Sequence, residues 1–280
     1  MQSVALYQAL VQSLTLPVSA SEKQTLIRWL LEDRLGLTGS ALLSGKEVLL
    51  TPAHFAQDLQ RLNQEEPIQY VLGHTQFFGR RFNVNSAVLI PRPETEWLVQ
   101  LVIDRTQKRE GMKLLDIGTG SGCLAITLAL ELPQCEAFGL DVSVDALAVA
   151  RANAGLHQAP VQFQRCDILT EELPFDNLQV IVSNPPYVCE SESAAMAKNV
   201  KAYEPHLALF VPDDDPLRFY RSIAQKARIA LSPGGLLAVE INERLGAETQ
   251  DEIEQAGFFD VEVHPDQHGK NRFVTAIAPY

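Results

Sequence analysis

Apolar residues recur at helical spacing over the first quarter of the chain, then change rhythm. Residues 1 to about 75 hold only such patterns, as in TLIRWLLEDRL and AHFAQDLQRLNQ, which predicts a bundle of three or four short helices. Ser21-Glu22-Lys23-Gln24 reads as a capping box opening the former, and Gly36 as its stop. Thr51-Pro52 supplies an N-cap and a first-turn proline for the latter. Over about 76–90, FFGRRFNVNSAVLI turns toward alternation around a glycine, the pattern of a hairpin connector. Pro91-Arg92-Pro93-Glu94-Thr95-Glu96 then opens a helix with acids in its first turn.

From Lys113 onward, short apolar runs alternate with helical segments. The order is KLLDI, helix 121–132, AFGLD, helix 143–156, VQFQR, VIVSN, helix 216–231, LLAVEI and helix 246–256. Strands alternating with helices predict a parallel sheet of Rossmann-like α/β type over 91–280. FFDVEV and FVTAIA follow with no helix between them, so the last strand is expected to run antiparallel. No internal repeat or low-complexity tract interrupts the pattern.

Composition narrows the function classes. The chain has 280 residues, 46% of them hydrophobic, enough to fill one or two cores. No apolar run approaches the ~20 residues of a membrane helix. The opening MQSVALYQALVQSL reads as an amphipathic helix and not as a signal peptide. Cys123, Cys135, Cys166 and Cys189 lie scattered, which suits reduced thiols in the cytoplasm. A net charge of −12 argues against sequence-blind grip on phosphate backbones. Arg80-Arg81 is one local basic candidate, with a solvated hairpin tip as the simpler reading.

Two loops carry the chemistry. Leu115-Asp116-Ile117 runs into Gly118-Thr119-Gly120-Ser121-Gly122 and then a helix, a strand–glycine turn–helix nucleotide signal. The third glycine comes one residue early for a dinucleotide fingerprint, where Cys123 stands instead. Asp141 closes the next strand, 23 residues beyond Gly118, where a carboxylate can hold ribose hydroxyls. Asp167 closes the third and could accept from an adenine amine. Each aspartate could instead merely cap a helix. Taken together, with no phosphate-binding lysine, they point to an adenosine without phosphates, and S-adenosylmethionine fits.

The second loop is Asn184-Pro185-Pro186-Tyr187, delivered by the buried-strand pattern Val180-Ile181-Val182-Ser183 to the end of the sheet where open α/β folds keep their sites. Neither proline has an N–H, and the residue before each is pushed to an extended conformation. The Asn184 side-chain oxygen and the Pro185 carbonyl are thus acceptors with few competing donors. A planar NH2 group, from a side-chain amide or an exocyclic base amine, is the natural guest.

These blocks, with EEPIQYVLG, FFGRRFNV, LIPRPETEWLV, YEPHLAL, PGGLLAVE and the terminal GKNRFV, resemble the release factor glutamine methyltransferases in family order over nearly the whole chain. The resemblance implies a class I S-adenosylmethionine-dependent methyltransferase domain. The expected reaction methylates the side-chain amide nitrogen of glutamine in the Gly-Gly-Gln motif of peptide chain release factors. Gly118 to Gly122 would wrap the methionine part of the cofactor, Asp141 the ribose, and Asp167 with Ile168 the adenine, with Asn184 close by. Asn184 and Pro185 would hold the target amide, while Pro186 and Tyr187 shape its slot. Arg92, Glu94 and Glu96 would border the site, and no metal is expected.

The implied partner of residues 1–75 is the release factor itself, bound by a monomer without nucleic acid or membrane. Departures from the family pattern fall at Val211–Pro216 and at Ile241-Asn242 after Glu240, outside the matched loop.

The alternative is an adenine or guanine amino-methyltransferase acting on DNA or RNA, which shares the Asn-Pro-Pro-Tyr loop. The net charge and the absence of a long target-recognition insertion disfavour it. A binding module without turnover would be marked by a damaged glycine loop or a lost Asn184, and both are intact. Metal-dependent hydrolysis at Asp213 to Asp215 lacks a supporting histidine, and Pro265 separates His264 from His268.

Overall fold

A computed structural model describes residues 1–106 and 110–280, arranged in two compact units. The first holds Met1–His74 and takes in Ala197–Tyr203 from much later in the chain. Its helices are α1 (Ser3–Ser13), α2 (Ala20–Leu35), α3 (Gly39–Leu43), α4 (Ala56–Asn63), α5 (Ile68–Leu72) and, from the later segment, α9 (Lys198–Tyr203). Leu6 and Leu10 of α1 meet Ile27, Leu30 and Leu31 of α2 in a core that leaves all five fully buried. Burying each such side chain contributes about 1.5–3 kcal/mol.

The N-cap of α2 lies two residues earlier than the Ser21 expected from sequence. Ser19, in extended backbone, accepts the Glu22 amide at 3.2 Å, so the helix opens at Ala20 and Ser21 falls inside its first turn. Gly36 does end the helix, in left-handed backbone at φ 64°. Thr51 precedes a 3-10 turn at Pro52–Phe55 that feeds α4, and its amide donates to His54 Nδ1 at 3.1 Å. Tyr203 on α9 donates its hydroxyl to the Gln64 carbonyl at 2.6 Å.

The second unit, Thr75–Met196 with Glu204–Tyr280, is built on a seven-stranded sheet. The chain enters through the hairpin β1 (His74–Phe77) and β2 (Arg80–Asn83). Arg80 pairs with Glu131 at 2.6 Å, so the two arginines do not form a bare basic patch. The chain continues through α6 (Pro93–Thr106), β3 (Lys113–Ile117), α7 (Cys123–Glu131), β4 (Glu136–Asp141), α8 (Val144–His157), β5 (Val161–Arg165) and β6 (Leu178–Ser183). Two short strands, β7 (Val188–Cys189) and β8 (Phe210–Val211), pair with each other. Then come α10 (Arg218–Ala230), β9 (Leu231–Glu240), α11 (Gly246–Gln255), β10 (Phe259–Pro265) and β11 (Asn271–Ile277).

Sheet order is β10-β11-β9-β6-β3-β4-β5, with β11 antiparallel to both its neighbours and the remaining pairs parallel. The late reversal expected from FFDVEV and FVTAIA is therefore present. Alternate residues of the central strands feed opposite layers. Leu114, Val180, Val182 and Ala238 pack with Leu98, Val99 and Val102 of α6. Leu115, Ile181, Leu237 and Val239 pack with Tyr220, Ile223 and Ala227 of α10. Truncating a residue such as Leu115 to alanine would cost about 2–5 kcal/mol. β9 starts five residues before the LLAVEI expected from sequence, since Leu231 already pairs with Leu178. Ser232 to Gly235 then bulge out, with Gly234 at φ 74°, and the register resumes at Leu236 opposite Val180.

Candidate active site

The carboxyl ends of β3, β4 and β6 converge on one cavity of about 260 Å³. After β3 the chain must turn sharply into α7, and Gly118, Gly120 and Gly122 all take positive φ. A Cβ at Gly122 would lie 2.9 Å from Ile126 Cδ1 and 3.2 Å from Ala150 Cβ, so the spacing that broke the dinucleotide pattern serves close helix packing. The loop is pinned by three bonds. Gly118 and Thr119 donate their amides to the Leu140 carbonyl, both at 2.8 Å, and Gly120 donates to Asp141 Oδ2 at 2.9 Å.

Beneath the loop lies Asp116, fully buried. Its Oδ2 accepts from the Thr119 hydroxyl at 2.7 Å and the Ala125 amide at 3.3 Å, while Oδ1 has no partner. Burial pushes this carboxyl up to about 7 against the two hydrogen bonds. Burial likewise pushes the neighbouring Cys123 thiol up to about 12, so Cys123 is no ready nucleophile.

Asp141 does not cap α8; Ser143 does, accepting the Ala146 amide at 3.2 Å. Asp141 Oδ1 takes the Ser143 amide at 2.9 Å. Asp141 lines the cavity, and each carboxylate oxygen can accept more than one hydrogen bond. Asp167 heads a turn, accepting the Leu169 amide at 2.9 Å and the Thr170 hydroxyl at 3.0 Å. Ile168 lines the same wall, with Cys166, Phe219 and Ile223.

β6 delivers the Asn184 loop to the opposite wall. Ser183 anchors the strand end through its hydroxyl to the Ile117 carbonyl at 2.7 Å. Asn184, Pro185 and Pro186 line the cavity beside Gly118 to Ser121. Asn184 Nδ2 donates to Thr95 Oγ1 at 3.2 Å, and Thr95 donates to Glu240 Oε2 at 2.7 Å. Tyr187 stands behind the loop and not among the cavity-lining residues, its hydroxyl donating to Glu240 Oε1 at 3.1 Å. Asn242 Nδ2 holds the Tyr187 carbonyl at 3.0 Å.

Of the helix-opening residues, Pro91, Arg92 and Thr95 reach the cavity. Glu96 accepts the Phe78 amide at 2.8 Å and braces the hairpin turn, while Glu94 is exposed. Asp213 is occupied by the Ser191 amide and hydroxyl, and Asp215 by Arg221. Among the described residues no cluster of His, Cys, Asp and Glu could hold a metal. Sequence reasoning passed over Thr95, Ser143 and the structural role of Asn153. The fully buried Asn153 amide joins Asn83 of the hairpin to the Ser121 carbonyl at 2.9 Å.

Residues 95–206 match the family model for a methyltransferase small domain, and residues 13–73 match that for a PrmC N-terminal domain. The release factor glutamine methyltransferase of Bacteroides thetaiotaomicron is 44% identical over 248 residues, covering 87% of this chain and 88% of that protein. That of Flavobacterium psychrophilum is 48% identical over 219 residues, 77% of each chain. The chain belongs to the release factor glutamine methyltransferases. The crystal structure of a methyltransferase from Pyrococcus furiosus superposes with a TM-score of 0.53 at 18% identity, covering 81% of this chain and all of that one, which shows the shared fold.

In this methyltransferase three buried acids stand in or behind the cavity walls, Asp141 among the lining residues and Asp116 and Glu240 behind them. Besides Asp116, burial raises Asp141 against the Ser143 and Gly120 amides. Glu240, 1% exposed, is raised by burial against the bonds from Thr95 and Tyr187 and the charge of Arg272. Tyr187 is held far above its ordinary value, by burial first and then by Glu240, so its hydroxyl stays a donor. Among the described residues no helix is long and apolar enough to cross a membrane.

Proposed function

We propose that this chain transfers a methyl group from S-adenosylmethionine to the side-chain amide nitrogen of the glutamine in the Gly-Gly-Gln motif of peptide chain release factors. The observation that carries the reading is the orientation of Asn184. Its NH2 end is engaged by Thr95, which leaves its oxygen as an acceptor beside the N–H-free Pro185. Two acceptors in adjacent lining residues, Asn184 and Pro185, suit an incoming NH2 group.

The residues present fit the cofactor. Gly118 to Ser121 form a turn open enough for close backbone approach, with Gly122 allowing α7 to pack behind them. Asp141 keeps lone pairs for ribose hydroxyls, and Asp167 with Ile168 offers an edge for adenine. When bound, S-adenosylmethionine supplies a methyl carbon on a sulfonium: the N–C bond forms as the C–S bond breaks, sulfur keeps the electron pair, and S-adenosylhomocysteine is left.

The protein's part is orientation and charge. An amide nitrogen is a poor nucleophile because its lone pair is delocalised into the carbonyl. Asn184 Oδ1 and the Pro185 carbonyl would each accept one N–H of the target, turn its lone pair toward the cofactor, and stabilise positive charge growing on nitrogen. Pro186 would shape the slot, and Tyr187 acts from behind the loop through Glu240. Glu240 does not line the cavity, so the surplus proton leaves to solvent and not to that carboxylate.

The helical unit is read as the site that recognises the release factor, acting in the cytoplasm on a protein partner. Trp29 on α2 is 47% exposed, an apolar anchor suited to such a contact. Trp29→Ala should raise KM for the release factor and leave cofactor affinity unchanged. The net charge of −12 does not favour a nucleic-acid substrate. Mass spectrometry of a release factor incubated with the protein and cofactor should show one added methyl group on the Gly-Gly-Gln peptide. Methyl incorporation into nucleic acid alone would sink the reading.

A further inference from the structure

Thr95 and Glu240 lie 145 residues apart in the chain and meet behind Asn184. A threonine hydroxyl has a single proton, and here it goes to Glu240, which takes a donor on each oxygen and as an ionised carboxylate only accepts. Toward Asn184 the hydroxyl can therefore only accept. A carboxamide has two ends of similar size and would fit either way round in a neutral pocket. Against this acceptor, only its NH2 end fits. The oxygen must then turn the other way, and among the described residues nothing donates to it.

The chemistry of position 240 sharpens the point. Burying a carboxylate is unfavourable, and a glutamine of nearly the same volume would avoid that cost. A glutamine, however, could present either end to Thr95 and would fix no direction. The carboxylate also receives the Tyr187 hydroxyl on its other oxygen, so one buried acid secures both ends of the Asn184–Tyr187 loop. Thr95 is 2% exposed and Glu240 1%, so water does not compete for either bond.

We infer that Thr95 and Glu240 are positioning residues for methyl transfer: the Glu240 carboxylate takes the Thr95 proton and so locks Asn184 with its oxygen toward the target NH2. Without the lock, Asn184 loses its fixed aim and is free to present its own NH2 to the target, donor facing donor. The inference deepens the function proposed above and rests on it.

The test uses the full-length protein, a release factor and S-adenosylmethionine. Thr95→Val removes the hydroxyl at nearly constant volume and should lower kcat roughly 10- to 100-fold, with KM for the release factor little changed. Thr95→Ser, which keeps a hydroxyl, should recover most of the loss. Proton–nitrogen NMR of the Asn184 carboxamide reads the lock without turnover. Its NH2 signals should move in Thr95→Val and stay near wild type in Thr95→Ser. Should Thr95→Val fail to fold, Glu240→Gln takes its place, with the same fall in kcat expected.

Wild-type kcat in the folded variant overturns the inference, as does a serine variant as poor as valine, or NMR signals that do not move. A wild-type protein that methylates no release factor would instead overturn the proposed function, and the NMR comparison would still decide the orientation of Asn184.

Discussion

Arg92 closes a 2.6 Å ion pair on Glu204, a carboxylate whose side chain is 1% exposed and whose other oxygen takes the Ile90 amide at 3.2 Å. The pair fastens two stretches that both wall the cavity, Ala87 to Arg92 on one side and Pro205 to Ala208 on the other. The cost of breaking it lies between two limits. A fully buried partner left unpaired costs about 3–5 kcal/mol, whereas a surface pair is worth about 0–1. Arg92 is 33% exposed at its side chain, so water re-solvates part of the site. Arg92→Ala should thus lose about 2 kcal/mol in urea unfolding at neutral pH. Glu204→Gln, which keeps an acceptor for the Ile90 amide, should lose less. Equal stability of Arg92→Ala and wild type would mean that the pair does not hold the wall.

Asp141 holds the Gly120 amide and also lines the cavity, where the proposed function has it take the ribose hydroxyls. Asp141→Ala removes both at once. Each lost charge-assisted bond is worth about 1.5–3 kcal/mol, so calorimetry should show cofactor affinity reduced on the order of 10²-fold or more. Asp141→Asn retains an acceptor for Gly120 and should lose less. If both variants bind the cofactor as the wild type does, Asp141 is only a loop anchor.

Much of this was legible in the residues. The strand–helix alternation after Lys113 gave the sheet, and the absent helix before FVTAIA gave its antiparallel strand. Local signals failed where two readings shared one motif. Ser19 with Glu22 and Ser21 with Gln24 have the same three-residue spacing, and the helix start at Ala20 leaves the cap to Ser19. The Asn184 loop was visible because its chemistry is contiguous. Its supports were not, because Thr95 reads as an ordinary first-turn residue and Glu240 as the end of an apolar strand. Sheet order brings them together: β9 lies beside β6, and α6 packs across both. Asn153 was hidden for the same reason, as a polar residue inside an apolar helix whose partners lie in the hairpin and the glycine loop.

Asn184→Ala removes the acceptor and leaves the glycine loop, Asp141 and Asp167 in place. Losing one preorganised hydrogen-bond partner of a reacting group costs about 10²–10³ in kcat. Methylation of the release factor should fall by at least that factor in single-turnover assays, with cofactor affinity within several-fold of wild type. A near-normal rate would show that the target amide is held elsewhere.

Asp116 makes stability depend on pH in a predictable direction. Its carboxyl is pushed up to about 7, by burial first, against the Thr119 and Ala125 hydrogen bonds and with Asp141 adding to the rise. Between the ordinary carboxylate range near 4 and about 7, the folded protein holds this proton more tightly than the unfolded chain does. Folding stability from this group is therefore full below that window and is lost as pH rises through it. Asp116→Asn carries no charge and cannot show the loss. The stability of Asp116→Asn relative to wild type should accordingly grow between pH 4 and pH 7 and level off above, in urea unfolding of the unliganded proteins. The difference between the two proteins cancels the titration of distant groups, leaving Thr119, Cys123 and Asp141 as the neighbours able to modify it. A difference that stays flat across the window would mean that Asp116 ionises in the folded protein as readily as in water.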